Sequence, residues 1–170
     1  IKNCITKHLE CITAKILEIG GNVDMNGDKL RVWYEKRPTK ATIKTLPYPG
    51  FPTDLQPQMG VVLSLADGTS IINESIWESR FQYTEELNKM GAKISAHGKT
   101  AVFDGVETLV GAPVYSSDLR AGAALIIAGI PFFETPREVE GAPYWVDLWT
   151  DVNGYKIGLQ VKPVTYSSPN

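Results

Sequence analysis

The sequence feature that most constrains the fold is a strand–turn–helix pattern that occurs twice. In the first copy, residues 41–45 alternate small or apolar residues with polar ones and include β-branched side chains, which is typical of a strand. Pro49-Gly50-Phe51-Pro52 ends that strand, and Thr53 or Asp54 can cap the apolar helix that follows. The second copy has Ser117-Asp118-Leu119 at the corresponding place, again before an apolar helix. This self-similarity predicts that one supersecondary unit is used more than once.

A second pair of segments repeats and completes the unit. Met90-Gly91-Ala92-Lys93-Ile94 corresponds to Ile19-Gly20-Gly21-Asn22-Val23, and a hairpin is expected after each. The first hairpin is predicted to turn at Asn26-Gly27, a favoured two-residue turn, and the second around Gly98. The unit therefore reads strand, helix, strand, helix and two-stranded hairpin, and the chain is predicted to be an α+β protein.

Apolar spacing places the remaining elements. The helix over residues 80–90 is expected to turn Phe81, Leu87 and Met90 inward. The helix Leu119–Ile130 is apolar on almost every side, so protein must surround it. The other predicted elements are a helix over 6–19 and strands over 69–73 and 109–115.

Composition excludes little beyond a membrane span. The chain has 170 residues and a net charge of −2, which gives no support for nucleic acid or an acidic membrane surface as a partner. The longest nearly apolar run, residues 121–133, is too short to cross a bilayer. Cys4 and Cys11 are expected to be free thiols in a reducing, cytoplasmic compartment. Because the chain begins at Ile1 without a methionine, we expect a fragment or a processed chain.

Four motifs carry a resemblance to a known family. They are Pro-Gly-Phe-Pro-Thr-Asp at 49–54, Glu78-Ser79-Arg80-Phe81, Lys89-Met90-Gly91-Ala92 and Ser117-Asp118-Leu119-Arg120-Ala121. In this order and spacing they resemble the C-terminal part of the UDP-N-acetylglucosamine 1-carboxyvinyltransferases, the enolpyruvyl transferases that open peptidoglycan synthesis. The resemblance implies an inside-out α/β barrel, with helices inside a ring of sheets. It covers about residues 8–130, so we expect a partial transferase domain over 1–130 and an unmatched tail over 131–170.

The resemblance also implies roles for individual residues. Asp54 would be the general base, and Ile76 would contact the UDP-sugar through its backbone. Arg80 and Arg120 would line the site with positive charge. The repeat makes Asp118 formally equivalent to Asp54, and we expect it to be the positioning partner. From the residues alone, Asp54 can instead be interpreted as a helix cap, Arg80 as a solvated charge at a helix end, and Arg120 as an ion-pair partner of Asp118.

The sequence departs from the family pattern in ways that bear on activity. The Lys-Asn pair, the mobile loop with a catalytic cysteine and further arginines of the family's other domain cannot be found, nor can its final Ile-Asp-Arg-Gly motif. A site built between two domains needs both of them. We therefore expect an enzyme part that binds UDP-N-acetylglucosamine and phosphoenolpyruvate, needs no cofactor, and is inactive without the missing domain.

The tail gives a competing interpretation. A hairpin is predicted over residues 144–166, with Leu148 facing Leu159 across a turn at Asn153-Gly154. Its other face would bring Asp147 beside Gln160 and Lys162, which is similar to the core of restriction-type nucleases, where an acid holds Mg²⁺. An amphipathic hairpin with an exposed lysine has the same pattern. A third possibility is a scaffold or binding module that keeps the fold without the chemistry.

Overall fold

The computed structural model describes residues 1–112 and 114, together with the backbone of residues 132–134, 148–152 and 155–159. Three helices lie in this part of the chain: α1 (Glu10–Glu18), α2 (Gln56–Ser64) and α3 (Tyr83–Lys89). Short 3-10 helices over Thr6–Leu9 and Thr53–Leu55 precede α1 and α2. The strands are β1 (Asn22–Asn26), β2 (Lys29–Trp33), β3 (Thr42–Lys44), β4 (Thr69–Asn73), β5 (Lys93–His97), β6 (Thr100–Asp104), β7 (Phe132–Glu134), β8 (Leu148–Val152) and β9 (Tyr155–Leu159).

One complete copy of the predicted unit forms the central sheet. In chain order it consists of β3, α2, β4, α3 and the hairpin β5–β6, and its four strands lie in the order β3-β4-β6-β5. β3 and β4 are parallel, whereas β6 is antiparallel to both of its neighbours. The α+β class and the order of elements within the unit are therefore confirmed.

The two hairpins have the same construction. Asn26 pairs with Lys29 and His97 pairs with Thr100, so each loop has two residues, Gly27-Asp28 in one and Gly98-Lys99 in the other. Gly27 and Gly98 have φ of 59° and 57° at the first loop position, where a type II′ turn requires a positive φ. The first turn is thus one residue later than predicted, because the glycine takes the first loop position rather than the second.

The core lies between the central sheet and helix α2. Ile43, Ile72 and Phe103 are fully buried on the sheet, and Leu63 is fully buried on α2. Most of α2 is buried, including its polar residues Gln56 and Ser64. A helix covered on most of its surface is what an arrangement with helices inside sheets requires. The corresponding prediction for Leu119–Ile130 lies outside the described residues.

Helix α3 covers the sheet beside strand β5. Its side of the core contains Phe81, Leu87 and Met90, all buried as predicted. The helix is shorter than predicted, since residues 80–82 form a turn before it and Ser79 adopts a positive φ of 59°. Asn88 also accepts from the backbone N–H of Ile94 and donates to its carbonyl, which pins the start of β5 to the helix.

The strand predicted over residues 109–115 is wrong for the part that the structure describes. Residues 109–112 and 114 belong to no strand, although Val114 is buried. The physical reason is in the sequence: Gly111 weakens a strand, and Pro113 has no N–H to donate to a neighbouring strand. Leu109, Ala112 and Val114 pack on the core without joining the sheet, whereas Val110 is exposed.

Strands β7, β8 and β9 form a second antiparallel sheet in the order β7-β8-β9. Leu148 pairs with Leu159, as the predicted hairpin requires. Asp147, Gln160 and Lys162 lie outside the described residues, so the nuclease interpretation stays a sequence-based prediction. Among the described helices, none is long and apolar enough to cross a membrane.

Candidate active site

The site lies where the parallel strands β3 and β4 end. The carboxyl ends of parallel strands meet at one edge of a sheet, so the segments that follow them are brought together. Asp54 lies in the 3-10 turn after β3, and Arg80 lies in the turn after β4. Nη2 of Arg80 donates to Oδ1 of Asp54 at 3.2 Å. The fold therefore brings together two of the residues singled out in the sequence.

The two side chains differ in exposure. The Asp54 side chain is 60% exposed, whereas that of Arg80 is only 15% exposed. A carboxylate open to solvent is accessible to a substrate hydroxyl, and the planar guanidinium beside it can also pair with carboxylate or phosphate oxygens. The arrangement suits proton transfer next to an anionic group.

Asp54 does not occupy the N-cap position of either helix. The N-cap residue is Pro52 for the 3-10 turn and Leu55 for α2. The Thr53 hydroxyl instead donates to Oε2 of Glu74 at 2.8 Å. Helix α2 begins only at Gln56, because residues 53–55, which include both candidate caps, form a 3-10 turn before it.

Glu74 is the buried acceptor of this site, and the sequence analysis missed it. The residue is 1% exposed and follows β4 directly. Its Oε1 accepts from the Thr45 hydroxyl at 2.7 Å and from the backbone N–H groups of Ile76 and Trp77 at 2.8 and 3.2 Å. The one available signal is alternation: Ser70, Ile72 and Glu74 share the buried face of the strand.

Two opposing effects determine the pKa of Glu74. Burial alone would raise this pKa, because it disfavours the charged form. The hydrogen bonds from Thr45, Ile76, Thr53 and Trp77 favour the carboxylate and outweigh burial, so the pKa lies below its usual value. Glu74 is therefore a buried anion that is stabilised by its donors.

Ile76 and its neighbours form the rim of the site. The Ile76 N–H is directed to Glu74, while the Ile76 and Trp77 residues are 39% and 56% exposed. Ser75 makes two hydrogen bonds to Thr45. Its N–H donates to the Thr45 hydroxyl at 2.9 Å, and its hydroxyl donates to the Thr45 carbonyl. Ser75 is thus held by the residue that directly follows β3.

Helix α1 supports the turn that leads to Asp54. The Cys11 thiol donates to the carbonyl of Gly50 at 3.1 Å, and the His8 ring meets the Tyr48 ring edge to face with centroids 5.8 Å apart. Cys4 and Cys11 are both half-buried free thiols. Cys11 therefore has a packing role at this turn.

The remaining candidates lie elsewhere. Asp118 and Arg120 fall outside the described residues, so their position relative to Asp54 stays a prediction. Within the described part of the chain, no cluster of three or more His, Cys, Asp or Glu side chains could hold a metal ion.

A family comparison defines the class of protein to which this fold belongs. The sequence model of the EPSP synthase (3-phosphoshikimate 1-carboxyvinyltransferase) family matches residues 1–140. The chain belongs to this family of enolpyruvyl transferases. The match extends beyond residue 130, where the resemblance found in the sequence ends.

Two similar curated proteins are UDP-N-acetylglucosamine 1-carboxyvinyltransferases. The chain is 56% identical over 130 residues to a UDP-N-acetylglucosamine 1-carboxyvinyltransferase of Clostridium botulinum, covering 76% of the chain and 31% of that protein. It is 46% identical over 162 residues to UDP-N-acetylglucosamine 1-carboxyvinyltransferase 3 of Caldanaerobacter subterraneus, covering 95% of the chain and 37% of that protein. The chain thus spans about a third of the length of these relatives.

Solved structures agree with the fold. The enolpyruvyl transferase NikO of Streptomyces tendae matches with a TM-score of 0.63 at 25% identity, over 71% of this chain and 28% of NikO. An EPSP synthase of Acinetobacter baumannii has a TM-score of 0.56 over 89% of this chain and 40% of its own, at 14% identity, which supports the fold alone.

Proposed function

We propose that this chain is the Asp54-bearing part of an enolpyruvyl transferase that acts on UDP-N-acetylglucosamine and phosphoenolpyruvate. The observation that carries the proposal is the exposed Asp54 carboxylate 3.2 Å from Arg80, at the shared edge of β3 and β4. The names of the relatives supply the substrates. Because the chain spans about a third of those relatives, the rest of the transferase is the partner that it needs.

The reaction assigns a task to each residue. A sugar hydroxyl attacks C2 of phosphoenolpyruvate while C3 gains a proton. The tetrahedral intermediate then loses phosphate and a C3 proton, which restores the C2–C3 double bond and gives the enol ether. Asp54 takes the hydroxyl proton as general base. Arg80, together with Arg120, holds anionic oxygens of the substrate, and the backbone of Ile76 contacts the sugar, with Asp118 as the positioning residue.

Segment exchange tests the proposal. In the full-length Clostridium botulinum relative, the segment that aligns with this chain over 130 residues would be replaced by the corresponding segment of this chain, which gives a full-length chimera. We expect the chimera to release phosphate from phosphoenolpyruvate only when UDP-N-acetylglucosamine is present, and the chain alone to release none. A chimera that is folded by circular dichroism but releases no phosphate would contradict the proposed function.

A further inference from the structure

The Glu74 carboxylate connects the two segments that carry the candidate site residues. Its Oε2 accepts from Thr53, the neighbour of Asp54, and its Oε1 accepts from the N–H groups of Ile76 and Trp77. On the far side, Arg80 donates to Asp54. Hydrogen bonds and the chain together close a ring. Thr53 is bonded to Glu74, the chain runs from Glu74 to Arg80, Arg80 is bonded to Asp54, and Asp54 follows Thr53 in the chain.

We infer that Glu74 is the positioning residue that fixes Asp54 and the Ile76 backbone relative to each other. The inference rests on the proposed function, because the two segments then hold the base and the sugar contact of the same reaction. Glu74 itself is buried beneath the segments, and its two oxygens bond to different segments. It therefore acts through Thr53 and Ile76 and is not a catalytic residue.

A carboxylate suits this position because the number of hydrogen bonds that it can accept matches the donors around it. Backbone N–H groups can only donate, and a carboxylate can only accept, so Oε1 can satisfy Ile76 and Trp77 at once. The Thr45 and Thr53 hydroxyls can donate or accept as required. Glutamine keeps one oxygen for the two N–H groups, and its amide N–H can donate to the Thr53 hydroxyl. Methionine has a similar shape and no comparable acceptor.

Kinetics of the chimera separate positioning from folding. Glu74→Met should lower kcat/KM by about 10²-fold, the usual effect of a displacement of about 1 Å at a reacting centre. Glu74→Gln should restore most of this loss. The control is Leu87→Ala, which weakens the core at α3 without touching the ring. All rates are compared at a temperature at which circular dichroism shows each variant folded. An equal effect of Glu74→Met and Leu87→Ala on kcat/KM would overturn the inference.

The Thr53→Val chimera tests the same inference if the Glu74→Met chimera fails to fold. It removes only the bond to Oε2, so it should lower kcat through Asp54 while the KM for UDP-N-acetylglucosamine, which depends on Ile76, stays nearly constant. A Thr53→Val chimera with unchanged kcat would overturn the inference.

Amide hydrogen exchange in the 170-residue chain gives a readout that does not depend on activity. Glu74→Gln should leave the exchange of the Ile76 and Trp77 amides slow, whereas Glu74→Met should accelerate it more than that of Ile71, whose N–H donates to Ala41 in the sheet. If Glu74→Met accelerated the exchange of the Ile71, Ile76 and Trp77 amides equally, Glu74 would have only a general structural role and the inference would be overturned. An inactive wild-type chimera would refute the proposed function, and this experiment would still decide whether Glu74 holds the segment.

Discussion

Replacement of Gln56 by methionine should stabilise the protein, although Gln56 lies directly behind the candidate site. Gln56 is the first residue of α2 and is fully buried. Neither its side-chain oxygen nor its side-chain nitrogen has a hydrogen-bond partner in the part of the chain that the structure describes. The amide has therefore lost its hydration without replacement, which is unfavourable for folding.

The expected size of the effect follows from this burial. A buried polar group without a partner costs about 1–3 kcal/mol of folding free energy. Methionine has nearly the same volume and length, so the packing of α2 is kept. We expect the free energy of unfolding to rise by about 1–3 kcal/mol. For a chain of this size, each kcal/mol raises Tm by about 2–4 °C.

Urea denaturation followed by far-UV circular dichroism measures the change. Gln82→Met, at an exposed position before α3, is the matched control and should stay within about 0.5 kcal/mol of the wild type. A lower stability of Gln56→Met would refute the reasoning, because it would mean that the Gln56 amide makes a favourable interaction. A gain would mean that the segment next to Asp54 retains a polar group at the expense of stability, as functional sites often do.

Three further results are expected. Asp54→Ala should change the free energy of unfolding by no more than about 1 kcal/mol, because the ion pair of a 60% exposed side chain is weak; a thermal-shift measurement showing a larger loss would argue for a structural role. The lowered pKa of Glu74 adds stability that is present above its unfolded pKa of about 4.3 and is lost as the pH falls through the folded value. The urea midpoint should therefore fall on acidification below about pH 4.3, and less so in Glu74→Gln; equal slopes would exclude Glu74 as the cause. Leu87→Ala should cost about 2–5 kcal/mol, since Leu87 is 2% exposed, whereas Leu46→Ala, at a 43% exposed position, should cost much less in the same urea titration.

Local patterns predicted the parts of the fold that local interactions determine. The strand over residues 69–73 has its predicted bounds, and Phe81, Leu87 and Met90 face the core. The two hairpins were found from glycine positions, since only a positive φ at the turn is needed. The strand predicted over 109–115 is wrong in its described part, because apolar content was given more weight than Gly111 and Pro113.

The site was predictable only in part, because distant residues complete it. Asp54 and Arg80 could be selected from their motifs, yet their contact depends on the parallel pairing of β3 and β4. Glu74 bonds to Thr45 and Thr53, which precede it by 29 and 21 residues. No local pattern encodes such contacts. The local pattern also placed the cap at Thr53 or Asp54, whereas both residues lie inside the 3-10 turn before α2.

Substitution of Asp54 by asparagine in the full-length chimera tests the central claim most directly. Asparagine keeps the shape of the side chain but cannot act as a base, and a general base contributes about 10²–10⁴-fold to the rate. We predict that kcat for enolpyruvyl-UDP-N-acetylglucosamine formation falls by at least about 10²-fold, while the Kd for UDP-N-acetylglucosamine changes little. A folded Asp54→Asn chimera that turns over at the rate of the unsubstituted chimera would contradict the account.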